Sequence, residues 1–274
     1  MSDYHDTTGG VFDDCDHFQV RNERMKINCD MGESFGIWSL GCDEDIMPYL
    51  DMANIACGMH ASDPSVMTRT VKMAQKYQVS IGAHPGYADL QGFGRRFIPM
   101  KSSDLTALFI YQVGALQAIC QSENTTLDYV KPHGALYNVM MKDDGVFTAL
   151  LNGIKNYNDR LPLVVMAVPD FAKYQELAAA YGVELWFEGF VDRAYDDNGR
   201  LKPRSEPDAL HTSIERVEKQ ALQLVEQGSV TTASGQIIPV HADTLCIHGD
   251  SLLALPTAKL LHDRAVQSHE NMSG

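Results

Sequence analysis

One strand–helix–strand unit can be read directly from residues 52–86, MANIACGMHASDPSVMTRTVKMAQKYQVSIGAHPG. The apolar runs 52–60 and 79–86 are short and contain glycine or proline near their ends, which is typical of buried strands. Between them, residues 63–78 have a helical pattern that starts with Asp63 as a candidate cap. The stretch therefore predicts two parallel strands joined by a crossover helix.

The same pattern recurs on both sides of this unit. Further apolar runs occupy residues 25–33, 127–134, 161–169, 184–193 and 244–250, and further helical patterns occupy residues 102–121, 143–157, 170–182 and 207–228. This alternation predicts a parallel sheet with right-handed crossovers. Seven strands in one chain favour an α/β fold of the barrel type, a seven-stranded parallel β/α barrel. Residues 228–242 predict a small β-hairpin that turns at Ser234 and Gly235.

Residues 1–24 lack apolar periodicity, and we interpret them as a flexible N-terminal extension. Residues 25–274 are then a single barrel domain. Hydrophobic residues make up 45% and charged residues 21% of the 274 residues, which excludes a wholly disordered or collagen-like chain.

The charge balance narrows the classes of partner. The chain has 22 Lys and Arg against 36 Asp and Glu, a net charge of −14, so we expect no nucleic-acid partner. The most apolar run, residues 161–168, is too short to span a bilayer, and the N-terminus has no apolar signal segment. The six cysteines form no CxxC pair. We expect reduced thiols, a cytoplasmic location and no membrane partner, and a homo-oligomer is compatible with the sequence.

Polar residues follow nearly every predicted strand. In a β/α barrel the carboxyl ends of the strands converge on one face, where active sites lie. Burying many polar groups is costly unless they serve a purpose, so their recurrence predicts a shared site. A single histidine after a strand is more often structural, and Asn28 and Asn54 are as readily explained as loop caps. The residues concerned are Asn28, Asp30, Glu33, Asn54, His60, His84, Lys131, His133, Glu188, Asp192, Arg193, His248 and Asp250.

The loop after the third strand, residues 82–97, carries adjacent arginines. Arg95 and Arg96 offer planar donors for a carboxylate or phosphate, and we expect one to be structural and one to face a ligand. The chain has no GxxxxGK[ST] phosphate loop. For Lys131 two alternatives stand. It is either a desolvated lysine of lowered pKa that acts on a carbonyl, phosphate or water, or a lysine buried against Asp30 or Glu188.

A divalent metal ion is a rival explanation for the same residues. Carboxylate and imidazole groups are suitable ligands for zinc or a similar ion. Local spacings such as HxxxH are absent, but ligands from different strands need no such spacing. The alternative function is thus a stand-alone metal-dependent amide hydrolase or deacetylase, with Asp30, His60, His84 and His133 as candidate ligands.

Six motifs resemble the LamB/YcsF family, in the family's order, over residues 25–257. They are KINCDMGESFG (26–36), ANIACGMHASDP (53–64), IGAHPGYADLQGFGRR (81–96), VKPHGALYN (130–138), EGFVDRAYDDNGRLKPRS (188–205) and CIHGD (246–250). The resemblance implies a TIM-barrel variant related to glycoside hydrolase and polysaccharide deacetylase barrels. It also implies ATP-dependent hydrolytic opening of 5-oxo-L-proline to L-glutamate, with ATP as co-substrate. In that family the barrel is the A subunit of a 5-oxoprolinase that is completed by subunits B and C.

The matched motif positions give the candidate site residues. As catalytic candidates we take Asp30, Glu33, His60, His84, Lys131, His133, Glu188, His248 and Asp250. As substrate-binding candidates we take Asn28, Asn54, Arg95, Arg96, Tyr137, Asp192, Arg193 and Arg204. Our hypothesis is that Asp30, His60 or His133 acts as base on water, and that His84 or His248 protonates the departing ring nitrogen. Lys131 and an arginine would hold phosphate or carboxylate.

Overall fold

The computed structural model of the protein describes residues 25–157 and 161–272, with side chains up to residue 265. The predicted extension, residues 1–24, lies outside the described residues and stays a prediction. Seven parallel strands close into a barrel in the order β1-β2-β3-β4-β5-β6-β9, as the sequence predicts. The barrel strands are β1 Lys26–Met31, β2 Met52–Ala56, β3 Ser80–His84, β4 Tyr129–Val130, β5 Leu163–Met166, β6 Leu185–Phe190 and β9 Thr244–Ile247.

Burial on both faces explains why these strands are continuous apolar runs. Every residue of β2, β5 and β9 is buried, because one face packs against helices and the other fills the barrel. Closure comes from β9, which pairs with β1 on one side and with β6 on the other. The last strand in sequence therefore places its carboxyl end, and the residues that follow it, beside the first strand.

Helices surround the barrel. Their bounds are α1 Asp43–Ile46, α2 Pro64–Tyr77, α3 Ser102–Ser122, α4 Gly134–Met140, α5 Asp144–Tyr157, α6 Phe171–Ala179, α7 Ile214–Gln227 and α8 Ala254–Met272. Asp63 caps α2 by accepting hydrogen bonds from the backbone of Ser65 and Val66, as predicted. The predicted start of α7 at residue 207 is wrong. Ser213 is the capping residue, and residues 207–213 belong to the loop before the helix.

Helix α3 is long and apolar enough to cross a membrane by length and composition alone, and no other described helix meets that test. The sequence analysis missed it because it considered only uninterrupted apolar runs. In the structure α3 packs on α5, where Thr106 Oγ1 donates a hydrogen bond to the Ala149 carbonyl and Phe109 lies over Gly153. A packed barrel helix has the same length and composition, so this feature carries no membrane assignment.

The predicted hairpin is present as β7 Ser229–Thr231 and β8 Ile237–Pro239, which pair in antiparallel fashion outside the barrel. Gly235 lies in its turn with a φ of +91°, a conformation that glycine adopts without steric cost. Neither α4 nor α8 was predicted from the sequence. Helix α4 begins directly after His133, at the position where the fourth strand delivers its polar residues.

Candidate active site

The carboxyl ends of the strands surround a cavity of about 270 Å³. Most of the predicted site residues line it. Those that do are Asp30, Glu33, His84, Arg95, Lys131, His133, Tyr137, Arg193, Arg204, His248 and Asp250. Those that do not are Asn28, Asn54, His60, Arg96, Glu188 and Asp192. The predicted convergence is therefore present, but some of the predicted residues lie behind the wall of the cavity.

Below the cavity, Lys131 is the centre of a buried polar cluster. Its Nζ lies 3.1 Å from Asn28 Oδ1 and 3.1 Å from Asp30 Oδ1. It also lies 3.0 Å from Glu188 Oε2 and 3.1 Å from Cys246 Sγ. We call Asn28, Asn54, Lys131 and Glu188 the inner network. One ammonium group thus contacts two buried carboxylates.

The two alternatives for Lys131 are separated by these contacts. Burial alone would lower the pKa of Lys131, but the charge of Asp30, together with Cys246 and Glu188, outweighs burial and raises that pKa well above its usual value. The expectation of a lowered pKa is therefore wrong. These ion pairs keep Lys131 charged, and its role in catalysis stays a prediction.

Asn28 and Asn54 position their neighbours. Asn54 Nδ2 donates to Asn28 Oδ1 and Asp30 Oδ1, both at 2.9 Å, and Asn54 Oδ1 accepts from the Tyr129 hydroxyl at 2.7 Å. Asn28 Nδ2 donates to Glu188 Oε2 at 3.2 Å. Both amides are fully buried. Neither Asn28 nor Asn54 lines the cavity, and their assignment to substrate binding stays a prediction.

Four residues at or just beyond the carboxyl ends of β1, β2, β3 and β4 form a second group. We call Glu33, His60, His84 and His133 the histidine cluster. His133 Nδ1 lies 3.0 Å from His84 Nε2, and the rings of His60 and His133 stack at 3.7 Å. Glu33 Oε1 lies 3.5 Å from His60 Nε2 and 3.6 Å from His133 Nδ1. Asp30 Oδ1, 3.4 Å from His84 Nε2, links this cluster to the inner network.

Gly94 lets the loop after β3 close over this cluster. Its φ is +62°, and a Cβ there would lie 2.7 Å from His60 Cβ and 2.8 Å from His133 Cδ2. Only a residue without a side chain fits this backbone and this space. The glycine-rich motif around Arg95 is thus explained by close packing on two histidines.

Burial controls the ionisation of the histidine cluster. It lowers the pKa of His60 and of His133 well below the usual value, and the positive charge that each would gain repels the neighbouring histidines. Burial and the charge of Asp30 raise the pKa of Glu33 well above its usual value. Burial alone would also raise the pKa of Asp30. The charges of His84 and Lys131 outweigh burial there and lower the pKa of that carboxyl.

At the cavity wall, His248 and Asp192 form a pair. His248 Nδ1 donates to the Asp192 carboxylate at 3.0 Å, and the backbone N–H of His248 donates to it at 3.2 Å. Burial alone would raise the pKa of Asp192, but the charge and hydrogen bonds of His248 outweigh it, and that pKa is lowered. Asp192 is therefore a positioning residue rather than the predicted substrate contact. It leaves His248 Nε2 available at a ring that lines the cavity.

The adjacent arginines point to different places. Arg95 lines the cavity and donates to Asp250 Oδ2 at 2.5 Å, and Arg204 lies 3.6 Å from the same oxygen. Arg96 instead pairs with Asp89. The assignment of Arg96 to substrate binding is corrected, because its guanidinium holds the loop through Asp89 and does not line the cavity.

Two basic residues of the cavity wall escaped the sequence analysis. Lys142 follows α4, and Lys202 lies in the long loop after β6. Neither follows a strand directly, so the rule that found the other residues could not find them. Lys202 does fall inside a motif of the family, which was a usable signal. Together with Arg95, Arg193 and Arg204 they make the outer cavity basic, although the whole chain is acidic.

Known proteins are similar to this chain over most of its length. The sequence model of the LamB/YcsF family matches residues 25–273. A Vibrio campbellii protein, named as the A subunit of 5-oxoprolinase, is 52% identical over 232 residues, which cover 85% of this chain and 92% of that protein. A Vibrio cholerae protein of the same name is 52% identical over 227 residues, 83% of this chain and 92% of that protein.

A solved structure is similar as well. The lactam utilization protein from Thermus thermophilus is 37% identical to this chain, with a TM-score of 0.83. The superposition covers 90% of this chain and 98% of that one. The closed barrel is therefore shared with a protein whose name refers to lactams.

Proposed function

Because the chain belongs to the LamB/YcsF family, we propose that it catalyses hydrolytic opening of the five-membered lactam 5-oxo-L-proline to L-glutamate, as the A subunit of a 5-oxoprolinase. The observation that carries this proposal is the 52% identity, over most of both chains, to proteins named as the A subunit of 5-oxoprolinase. The cavity supports it, because acid–base groups and basic residues converge there.

The chemistry requires activation, because a lactam carbonyl is a poor electrophile. We propose that ATP transfers its γ-phosphoryl group to the carbonyl oxygen and leaves as ADP. Water then adds to the activated carbon, the C–N bond breaks and the nitrogen takes up a proton. A second water releases phosphate from the resulting acyl phosphate, which gives glutamate.

We assign the ATP-dependent step to partner subunits B and C, and ring opening to this barrel. The chain has no GxxxxGK[ST] phosphate loop. Its cavity of about 270 Å³ lies just below the range of roughly 300–1,000 Å³ for sites of drug-sized ligands. Such a space suits a small activated lactam better than a whole nucleoside triphosphate.

His248 is the best placed group for proton transfer to the ring nitrogen. Asp192 fixes its Nδ1–H, so Nε2 is the nitrogen that exchanges protons with a ligand in the cavity. His84, the other candidate, donates its Nδ1–H to the Lys131 carbonyl, and its Nε2 faces His133 Nδ1 at 3.0 Å. A positioned acid or base contributes about 10²- to 10⁴-fold to the rate.

The basic outer wall fits the charges of the substrate. The carboxylate of 5-oxoproline and a transferred phosphoryl group are both anionic, and arginine binds both through charge-assisted hydrogen bonds. Burial and the like charge of Arg204 lower the pKa of Arg193 to about 10, so Arg193 stays charged at neutral pH. We propose Arg95, Arg193 and Arg204 as the anchors of these groups.

The test is glutamate release from 5-oxoproline and ATP by the full chain, alone and mixed with subunits B and C. We expect release only in the mixture. Arg95→Ala should raise KM for 5-oxoproline about tenfold, the loss of one charge-assisted contact. Arg264→Ala is the matched control with an unchanged KM, since Arg264 pairs with Glu218 on the surface and does not line the cavity. No release in the mixture would overturn the proposal.

A second candidate is amide hydrolysis that depends on a metal ion and not on ATP, and the histidine cluster favours it. Release of glutamate by the chain alone without ATP, and its loss on chelation, would select this candidate. For either candidate we place the reaction in the cytoplasm, because the cysteines among the described residues are unpaired thiols.

A further inference from the structure

Hydrogen bonds fix which nitrogen of His84 and of His133 carries a hydrogen. His84 Nδ1 lies 2.6 Å from the Lys131 carbonyl oxygen, and His133 Nε2 lies 2.8 Å from the Phe93 carbonyl oxygen. Because a carbonyl oxygen can only accept, both of these nitrogens must donate. In the neutral rings, His84 Nε2 and His133 Nδ1 then present lone pairs, and these face each other at 3.0 Å.

The other two members of the histidine cluster contribute further unpaired atoms. Oε1 of Glu33 is buried and has no hydrogen-bond partner, although His60 Nε2 and His133 Nδ1 lie within 3.6 Å of it. Neither ring nitrogen of His60 has a hydrogen-bond partner. Buried polar atoms are normally paired, so each of these needs an explanation. A cation between the four side chains would bind Glu33 Oε1 and one nitrogen of each of the three histidines at once.

The spacing of the four residues fits one metal ion. One ligand atom from each residue lies within 4.8 Å of all the others. Zn–N bonds of about 2.0–2.1 Å place tetrahedral ligand atoms roughly 3.3 Å apart. Three of the measured separations, at 3.0, 3.5 and 3.6 Å, are already close to that value. The widest would shorten when an ion binds.

The surroundings of the rings are also those of metal ligands. A histidine that binds a metal commonly donates its other N–H to a backbone carbonyl, which fixes the ring, and His84 and His133 both do so. Glu33, His84 and His133 line the cavity, while His60 lies behind them. An ion bound by these four residues would therefore be accessible from the cavity.

We propose that Glu33, His60, His84 and His133 bind one divalent transition-metal ion, with zinc as the best match to three imidazoles and one carboxylate. Glu33 takes the place that the sequence analysis gave to Asp30, which Lys131 and Asn54 already occupy. This site goes beyond the proposed ring opening and rests on geometry alone.

A single extra proton shared by His84 and His133 would also remove the repulsion between their lone pairs. It would leave His60 and Glu33 unpaired, and so it explains less of the structure. The metal ion and the shared proton can be distinguished by elemental analysis, because only the first explanation requires a bound metal.

The test uses the untagged full chain, because an affinity tag of histidines would itself bind metal. The protein is treated with a chelator, dialysed and titrated with Zn²⁺, and bound zinc is measured by elemental analysis and calorimetry. We expect one zinc ion per chain. His60→Gln and His133→Gln should each raise the Kd at least about a hundredfold, more than the 10- to 100-fold typical of residues that only support a metal ligand.

His248→Gln is the matched control, since His248 lines the same cavity outside the cluster, and it should keep the wild-type Kd. Circular dichroism verifies that each variant is folded. No zinc uptake, or equal uptake by all variants, would overturn the site. Zinc binding without glutamate release would count against the proposed function alone, and release by the zinc-free complex without any zinc uptake would count against the site alone.

Discussion

The inner network and the histidine cluster are neighbours in one barrel, yet their charges are balanced differently. In the inner network, Lys131 supplies a cation to Asp30 and Glu188 from within the chain. In the histidine cluster, no described lysine or arginine forms an ion pair with Glu33, and His60 has no hydrogen-bond partner. The first region contains its own cation, although Glu188 Oε1 keeps no hydrogen-bond partner, and we propose that the second region takes up a cation from outside.

This difference separates structural polar groups from functional ones. Buried polar groups stabilise a fold when every partner is present, and a buried group without its partner is costly. Unpaired polar groups beside a cavity are therefore candidates for contacts with a ligand. Asp30 belongs to both regions, since its Oδ1 faces Lys131 on one side and His84 on the other.

The largest effect is expected where the two regions meet. Asp30→Asn should lower kcat for glutamate release by the complete enzyme about 10²- to 10⁴-fold, because it removes the negative charge that lies next to Lys131 and His84. His133→Ala should have a similar effect. Both variants should remain folded by circular dichroism. Wild-type rates in both would show that the link between the regions has no role in turnover.

Removing the cation of the inner network should mainly affect stability. Lys131→Met leaves Asp30 and Glu188 buried without a counter-charge, and we expect the free energy of unfolding in urea to fall by about 3–5 kcal/mol. Lys173→Met is the control, because Lys173 pairs with Asp144 on the surface, where ion pairs contribute little. Similar losses in the two variants would contradict a special role for the buried pair.

Replacing one polar group by leucine in each region compares them directly. Asn54→Leu removes the acceptor of the Tyr129 hydroxyl and the N–H donor of Asn28 Oδ1 and Asp30 Oδ1. It should lower the free energy of unfolding by about 1–3 kcal/mol. His60→Leu removes nitrogens that have no partner, so metal-free protein should change by less than about 1 kcal/mol. Urea unfolding after chelation measures both. A larger loss for His60→Leu would reverse the comparison.

The smallest effect concerns the Asp192 carboxyl behind the cavity wall. The pKa of Asp192 is lowered in the folded protein, so its contribution to stability is present above the unfolded value of about 3.9 and is lost as the pH falls through the folded value. In Asp192→Asn the free energy of unfolding should therefore fall less steeply than in the wild type as the pH drops below about 4. Parallel curves for both proteins would exclude this contribution.

Local patterns were enough to predict the architecture. Residues 52–86 contain strand, capped helix and strand, and the structure has β2, α2 and β3 there. Local patterns also predicted that the polar residues after the strands would lie together at the carboxyl ends of the barrel strands. The sequence analysis failed for α4 and α8, which follow the site-bearing segments closely, and for the start of α7, where loop residues resembled helix.

Individual partners could not be predicted. Arg95 and Arg96 are adjacent and chemically identical, and only the path of their loop sends one to the cavity and the other to Asp89. The sequence analysis grouped Asp30 with the three histidines, whereas the structure places Glu33 there. Asp30 is already held by Asn54 and Lys131. Such choices depend on distances that the sequence does not contain.

The sequence by itself determined the strands, the helices between them and the face on which the chemistry collects, because each depends on residues that are near neighbours along the chain. The tertiary structure alone decided that Lys131 would meet Glu188 and that His248 would meet Asp192, 56 residues away. The pairing of β9 with β1 and β6 closes the barrel and brings these residues together. Hydrogen bonds and ion pairs act over a few ångströms, so their partners are chosen only once the barrel has closed.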